Sequence, residues 1–271
     1  TVLNIGAAGG AEFTVVNITS SGTTANTITL LEDAASAAVG DLVTVNVTGS
    51  GDLTLGTGLT AFAGNNSAAD MTLNAADATG NLTVTGTNFE NITLGAGDDT
   101  LKLAATQVSA ASAASDQVVL DGGAGANTLV FGGQDLSATG VANNTSATTD
   151  DDSITNFQTL TFEAIKADDA ATVARAIDAN VVSGATTISV DMQNAEDSDA
   201  DKDVDVTVSD LLTGQTVKFS SLASANTGAD ETLTLDMDSP TGTTDAITIE
   251  SVASAAATAH VNSLSTLTVN Y

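Results

Sequence analysis

Residues 71–102 read MTLNAADATGNLTVTGTNFENITLGAGDDTLK, and the fold turns on this stretch. An aliphatic residue, a threonine and another aliphatic residue recur as Met71-Thr72-Leu73, Leu82-Thr83-Val84 and Ile92-Thr93-Leu94. Each triplet alternates with a period of two, so one face is apolar and the other carries hydroxyls. Gly, Asn and Asp punctuate the triplets, as tight turns require. From Thr72 to Thr83, Thr93 and Lys102 the steps are 11, 10 and 9 residues. Such regularity predicts stacked coils, each giving a short strand and a tight turn, with aliphatic ladders inside and Thr, Asn and Asp outside. An antiparallel β-sandwich also carries turn signals every 8–12 residues and is the alternative.

Outward from this stretch the signature persists. Leu53-Thr54-Leu55 precedes it; Leu160-Thr161-Phe162, Ile188-Ser189-Val190, Val206-Thr207-Val208, Leu233-Thr234-Leu235, Ile247-Thr248-Ile249 and Leu267-Thr268-Val269 follow it. Beyond residue 162 the spacing loosens to 28, 18, 27, 14 and 20 residues. The segment Asp168–Asn180 reads as a helix, with Asp168 or Asp169 as its cap and Val173 and Ile177 four apart on one face. The expectation is an all-β chain: a parallel β-solenoid or β-roll over 1–162, a short helical connector over 163–180 and a second β region over 181–271.

Composition bounds the chemistry. The 271 residues carry 34 Asp and Glu against 5 Lys and Arg, a net charge of -29. Such a chain repels itself and offers nothing to neutralise nucleic-acid phosphates. There is no Cys and one His, which excludes disulfides and Cys/His zinc sites. No apolar run reaches the ~20 residues of a membrane helix, and no N-terminal signal pattern is read, so direct membrane insertion is not expected. A sugar-cleaving β-helix enzyme needs paired carboxylates beside a base or cation, with aromatic platforms. The cationic and imidazole side chains are Lys102, Lys166, Arg175, Lys202, Lys218 and His260; Trp is absent and Tyr271 is the one tyrosine. No catalytic constellation is expected from them. An ice- or surface-binding solenoid would need regular Thr-x-Thr ladders, and Thr83/Thr85 reads as isolated.

Two nine-residue stretches carry a recognisable chemistry. Leu94-Gly95-Ala96-Gly97-Asp98-Asp99-Thr100-Leu101-Lys102 and Gly122-Gly123-Ala124-Gly125-Ala126-Asn127-Thr128-Leu129-Val130 both fit G-G-x-G-x-D-x-U-x, where U is a large aliphatic residue. Glycines permit the turn, the sixth residue brings an oxygen and the eighth buries in the coil. On these residues the chain resembles RTX-type calcium-binding repeat proteins, and in particular the type I-secreted S-layer proteins of Gram-negative bacteria. Thr87-Asn88-Phe89-Glu90-Asn91-Ile92-Thr93-Leu94 and Ile154-Thr155-Asn156-Phe157-Gln158-Thr159-Leu160-Thr161-Phe162 are similar to a strand phrase of that family, with a weaker echo at Ser263–Val269. The motif-based resemblance spans about residues 71–162. The first copy has Leu94 for its leading Gly, the second has Asn127 for the Asp, and the copies lie 28 residues apart instead of in tandem.

The resemblance implies Ca²⁺ as the cofactor, with turn oxygens at Gly95, Gly97, Gly123 and Gly125, a carboxylate from Asp99, an amide oxygen from Asn127, and Asp98 and Asp121 close by. Leu101 and Leu129 are then core residues. It also implies a structural protein outside the cell, self-assembling into a calcium-dependent lattice, with outer-membrane polysaccharide contacted through another part of the protein. The alternative is a calcium-rigidified module of a secreted adhesin. A second acidic run, Glu196–Asp205, alternates Asp199, Asp201 and Asp203 with other residues. It is no EF-hand, since Val204 stands where the sixth-position Gly belongs. As a strand it would place its acids on one face, open to Ca²⁺, and Val204, Val206 and Val208 on the other. Asp150, Asp151 and Asp152 form a further triplet in a loop.

Overall fold

The computed structural model describes residues 2–4, 15–31, 44–57, 72–85, 91–104, 119–132, 153–165, 173–179, 182, 184–193, 204–222, 231–237, 246–251 and 264–270. All of the regular structure there is β-strand, and the strand pairs within it are parallel. The architecture is a parallel β-solenoid. The chain divides into two compact units, 1–130 with 149–157, and 131–148 with 158–271.

The first unit alternates between two sheets. Strands β2 (Val15–Ser20), β4 (Thr44–Gly49), β6 (Thr72–Ala78), β8 (Asn91–Thr93), β10 (Val119–Asp121) and β12 (Ser153–Thr155) lie side by side in chain order. Strands β1 (Val2–Asn4), β3 (Asn26–Leu31), β5 (Leu53–Thr57), β7 (Leu82–Thr85), β9 (Thr100–Ala104) and β11 (Thr128–Gly132, of which Thr128–Val130 belong to this unit) do the same in the other sheet. A coil therefore needs two strands, one per sheet. The steps of about ten residues read from the sequence are half-coils, and the full repeat is set by strand register. Leu53 pairs with Leu82, 29 positions on, whereas Thr83 pairs with Thr100, 17 positions on.

Why these residues pack is visible in the register. Val45 pairs with Leu73 and Leu73 with Ile92, all at most 1% exposed. Leu55 pairs with Val84 and Val84 with Leu101, each 0% exposed. Each fully buried aliphatic side chain contributes about 1.5–3 kcal/mol, so identical ladders let a core with few aromatics suffice. The intervening residues face outward. Thr27, Thr54, Thr83 and Thr100 occupy one position in four successive coils. Thr83 is thus one rung of a threonine column instead of an isolated residue. The neighbouring column, Thr29, Gly56, Thr85 and Lys102, is broken by Gly and Lys.

The second unit holds β13 (Thr159–Ile165), β15 (Thr187–Gln193), β17 (Thr216–Leu222) and β19 (Thr248–Ser251) in one parallel set. A second set is β14 (Val173–Asp178), β16 (Val204–Leu211), β18 (Glu231–Met237) and β20 (Leu264–Asn270). The spacings that look loose in the sequence include whole coils: Thr161 pairs with Ser189, 28 on, and Thr207 with Thr234, 27 on. Phe131 and Phe162 stack with ring centroids 4.8 Å apart.

One expectation is corrected. Residues 173–178 of the expected helix form strand β14, with Val173 paired to Val204 and Ile177 to Val208. A spacing of four satisfies a period of two as well as one of 3.6, so Val173 and Ile177 cannot separate strand from helix. The β-branched side chains and the waiting edge of β16 decide for the strand. Asp168 and Asp169, offered as caps, lie outside the described residues.

Candidate functional site

The two nonapeptides form the corners between β8 and β9 and between β10 and β11. Their 28-residue separation is one coil, so they stack directly. The N–H of Ala124 donates to the carbonyl of Gly95 at 2.9 Å, and that of Thr128 to the carbonyl of Asp99 at 2.8 Å. The glycines are fixed by this approach. A Cβ on Gly97 would lie 2.5 Å from the Gly80 carbonyl oxygen, and one on Gly125 2.2 Å from that of Gly97. Gly123 and Gly125 also hold positive φ, 72° and 102°, which L side chains resist.

Two files of polar side chains tie the corners together. In the outer file, Asp52 Oδ1 accepts the N–H of Asn81 at 2.9 Å. Asn81 Oδ1 accepts that of Asp98 at 2.9 Å, and Asp98 Oδ1 that of Ala126 at 2.8 Å. Each side chain serves the same position one coil on, until Ala126 ends the file.

The inner file is the less expected. Its residues in successive coils are Leu53, Leu82, Asp99 and Asn127, exposed by 2%, 2%, 1% and 0%. Asp99 thus stands where the two preceding coils bury leucine. Between leucine rungs the main chain bonds to itself, as Leu53 N–H to the Asn81 carbonyl at 2.9 Å. At the Asp99 rung the side chain takes over: Oδ1 accepts the N–H of Leu82 at 2.7 Å and Oδ2 that of Gly95 at 3.1 Å. Asn127 repeats the device, its Oδ1 accepting the N–H of Asp99 at 2.9 Å and its Nδ2 donating to the Asn156 carbonyl at 3.0 Å. Burial pushes the Asp99 carboxyl up to about 6; the two N–H donors pull the other way, and neighbouring Asp98 adds to the rise.

Asp121 lies at the same corner. Its Oδ1 accepts the N–H of Gly123 at 2.9 Å and the Nδ2 of Asn156 at 2.7 Å. Asn156 sits at φ 63°, a left-handed conformation that Asn tolerates. The structure therefore brings Gly95, Gly97, Asp98, Asp99, Asp121, Gly123, Gly125 and Asn127 to one pair of stacked corners. Leu101 and Leu129 are both 0% exposed, as the motif requires. Asn81, Asp52 and Asn156 belong to the same network and were missed. Their signal was their position beside Gly51, Gly80 and Gly122 in the register, legible only once coil length is known.

Asp199, Asp201 and Asp203 lie outside the described residues, as do Asp150, Asp151 and Asp152. At the end of the alternating run, Asp205 is part-exposed while Val206 and Val208 just after it are 1% and 0% exposed, the alternation expected of a strand.

Ca²⁺ takes six to eight oxygens at one point. The inner file falls short of that number by itself: its three side-chain oxygens, two of Asp99 and one of Asn127, each give one lone pair to a main-chain N–H group. Among the described residues, no three Asp, Glu, His or Cys side chains converge as a metal site would need. The second family phrase also divides: Asn156 and Phe157 sit in a corner and Leu160 in β13, whereas Ile92 of the first phrase lies in β8 in register with Leu120 and Ile154. Compared with known proteins, the chain matches no family model, no curated protein and no solved structure.

Proposed function

We propose that this chain is a structural protein of the cell surface, secreted and assembled with further copies into a calcium-dependent layer. The observation that supports the reading most is the in-register stacking of the nonapeptide corners on a parallel solenoid. Every polar group named there serves to hold one coil on the next. A scaffold built this way presents long ladders of side chains at fixed spacing, which suits a repeating assembly. The resemblance of the nonapeptides to RTX-type S-layer proteins supports the same direction.

Calcium enters through the exposed acids, not the corner interior. A chain at -29 self-repels, and divalent cations between outward carboxylates offset that repulsion within and between copies. The test is imaging and light scattering of purified protein in millimolar Ca²⁺ and after addition of EGTA. Ordered assemblies that form with Ca²⁺ and dissolve with chelator are expected. A protein that stays a folded monomer at high concentration in Ca²⁺ defeats the lattice reading and favours the adhesin module.

A further inference from the structure

The outward faces of the first unit do not share the acidity of the chain. Strands β3, β5, β7, β9 and β11 contain no Asp or Glu, and Lys102 is their one charged residue. On that face Thr27, Thr83 and Thr85 are exposed, and Thr29, Thr54, Gly56, Thr100, Lys102 and Thr128 are part-exposed. Acids of this unit that the structure describes stand elsewhere: Asp52, Asp98 and the buried Asp99 at corners, Asp77 and Asp121 in the other sheet. A chain at -29 thus carries, on the described strands β3, β5, β7, β9 and β11, a sheet face without a carboxylate.

We infer that this threonine-laddered face is a self-contact surface, meeting the same face of a second copy. This rests on the self-assembly reading and names the face that performs it. Three properties point to a second copy as the occupant. Two copies that both carry a large negative charge approach at least electrostatic cost where neither presents a carboxylate. A threonine hydroxyl both donates and accepts, so a threonine ladder satisfies an identical ladder without orphan groups, as an isologous two-fold contact requires. Adjacent strands lie about 4.7–4.9 Å apart, and another copy of the same sheet has the same repeat, so rungs meet rungs along the whole face. Sheets pack face to face at about 10 Å, a distance that threonine methyls on both sides fill.

The contact is small. Four or five strands at that spacing span roughly 20–25 Å, and two or three outward residues per strand give on the order of a few hundred Å² per copy. A stable pair needs about 800 Å² per partner, so the face acts as one of several weak contacts in an array.

The chain has no Cys, so single cysteines report the contact directly. Thr54→Cys and Thr83→Cys place thiols on this face; Asn17→Cys and Asn74→Cys place them on exposed positions of the other sheet. Each variant, in assembling conditions with Ca²⁺, is treated with a bismaleimide of about 10 Å reach, a length set by the sheet spacing. Linked dimers from Thr54→Cys and Thr83→Cys, and few from Asn17→Cys and Asn74→Cys, are expected. Adding Thr27→Asp and Thr100→Asp to Thr83→Cys should cut the yield about tenfold or more, since like-charge juxtaposition costs several kcal/mol. If that variant fails to fold by circular dichroism, Thr83→Cys with Thr100→Asp alone replaces it and should lower the yield in the same direction. Equal linking on both sheets overturns the inference. Absence of linking on this face while calcium-dependent assemblies form overturns it and leaves self-assembly standing; absence of both linking and assembly overturns the two together.

Discussion

Asp99 and Leu82 occupy the same inward position in successive coils, and the Asp99 carboxylate accepts the Leu82 main-chain N–H at 2.7 Å. A carboxylate that replaces a leucine in a buried column is tolerated because two N–H groups, those of Leu82 and Gly95, are aimed at its oxygens. The cost is electrostatic: with the carboxyl raised to about 6, the folded state holds a proton more tightly than the unfolded chain.

That gives a signed pH dependence. A carboxyl raised on folding binds more protons in the folded state, so its contribution favours folding at low pH and declines as pH rises from about 4 to about 6. Denaturation midpoints measured across that window should show wild type losing stability, as pH rises, relative to Asp99→Asn. The quantity to compare is the slope, because Asn also turns an NH₂ toward one of the two donors. Parallel pH profiles for the two proteins would refute the buried, raised carboxyl.

Glycine at the corner and glycine in the strand should respond oppositely. Gly97→Ala drives a Cβ to 2.5 Å from the Gly80 carbonyl oxygen and should destabilise by about 1–3 kcal/mol, the range of overpacking. Gly56→Ala meets nothing closer than 3.5 Å, at Thr29 Oγ1, and should be neutral or stabilise by about 0.4–1 kcal/mol through the unfolded chain. Urea midpoints of the two variants against wild type check the pair. Similar losses in both would argue against the corner packing.

Core and outer file separate by magnitude. Leu101→Ala removes a side chain that is 0% exposed and should cost about 2–5 kcal/mol. Asp98→Ala removes the acceptor of the Ala126 N–H, at an exposed corner, and should cost about 0.5–1.5 kcal/mol, while Asp98→Asn keeps the acceptor and should cost less. Thermal melts rank the three. An Asp98→Asn protein as weak as Asp98→Ala would place the effect in the charge and not in the hydrogen bond.

Calcium should raise the melting temperature. A ligand at 100 times its Kd that binds only the folded state stabilises by about 2.7 kcal/mol. Melting in EGTA and in millimolar Ca²⁺ should therefore differ by several degrees, and Asp99→Asn should keep that difference because Asp99 faces inward. Loss of the calcium shift in Asp99→Asn would return the corner interior to the metal.

The solenoid was legible because its core residues alternate with threonine strand after strand, and period two survives any coil length. Coil length itself was hidden. It is the sum of two strands, a corner and a connection, and only the first two leave a periodic trace; hence Thr83 read as isolated though Thr27, Thr54 and Thr100 stand in register with it. The nonapeptides fixed which residues gather at the corner. They did not show that Asp99 turns inward, because that follows from strand register: Asp99 precedes Thr100 as Leu53 and Leu82 precede Thr54 and Thr83. The strand at Val173–Asp178 was lost to a four-residue spacing common to both regular structures.

The unequal coils have a practical meaning. Between β7 and β8 the chain spends five residues, 86–90, and between β5 and β6 fourteen, 58–71, yet the strands on either side keep the same neighbours, with one register shift between β4 and β6. Doubling such a connection costs only about 0.6 kcal/mol in closure entropy. A change of length at these connections therefore costs the scaffold little, and they are natural graft points for displaying a foreign peptide at defined intervals.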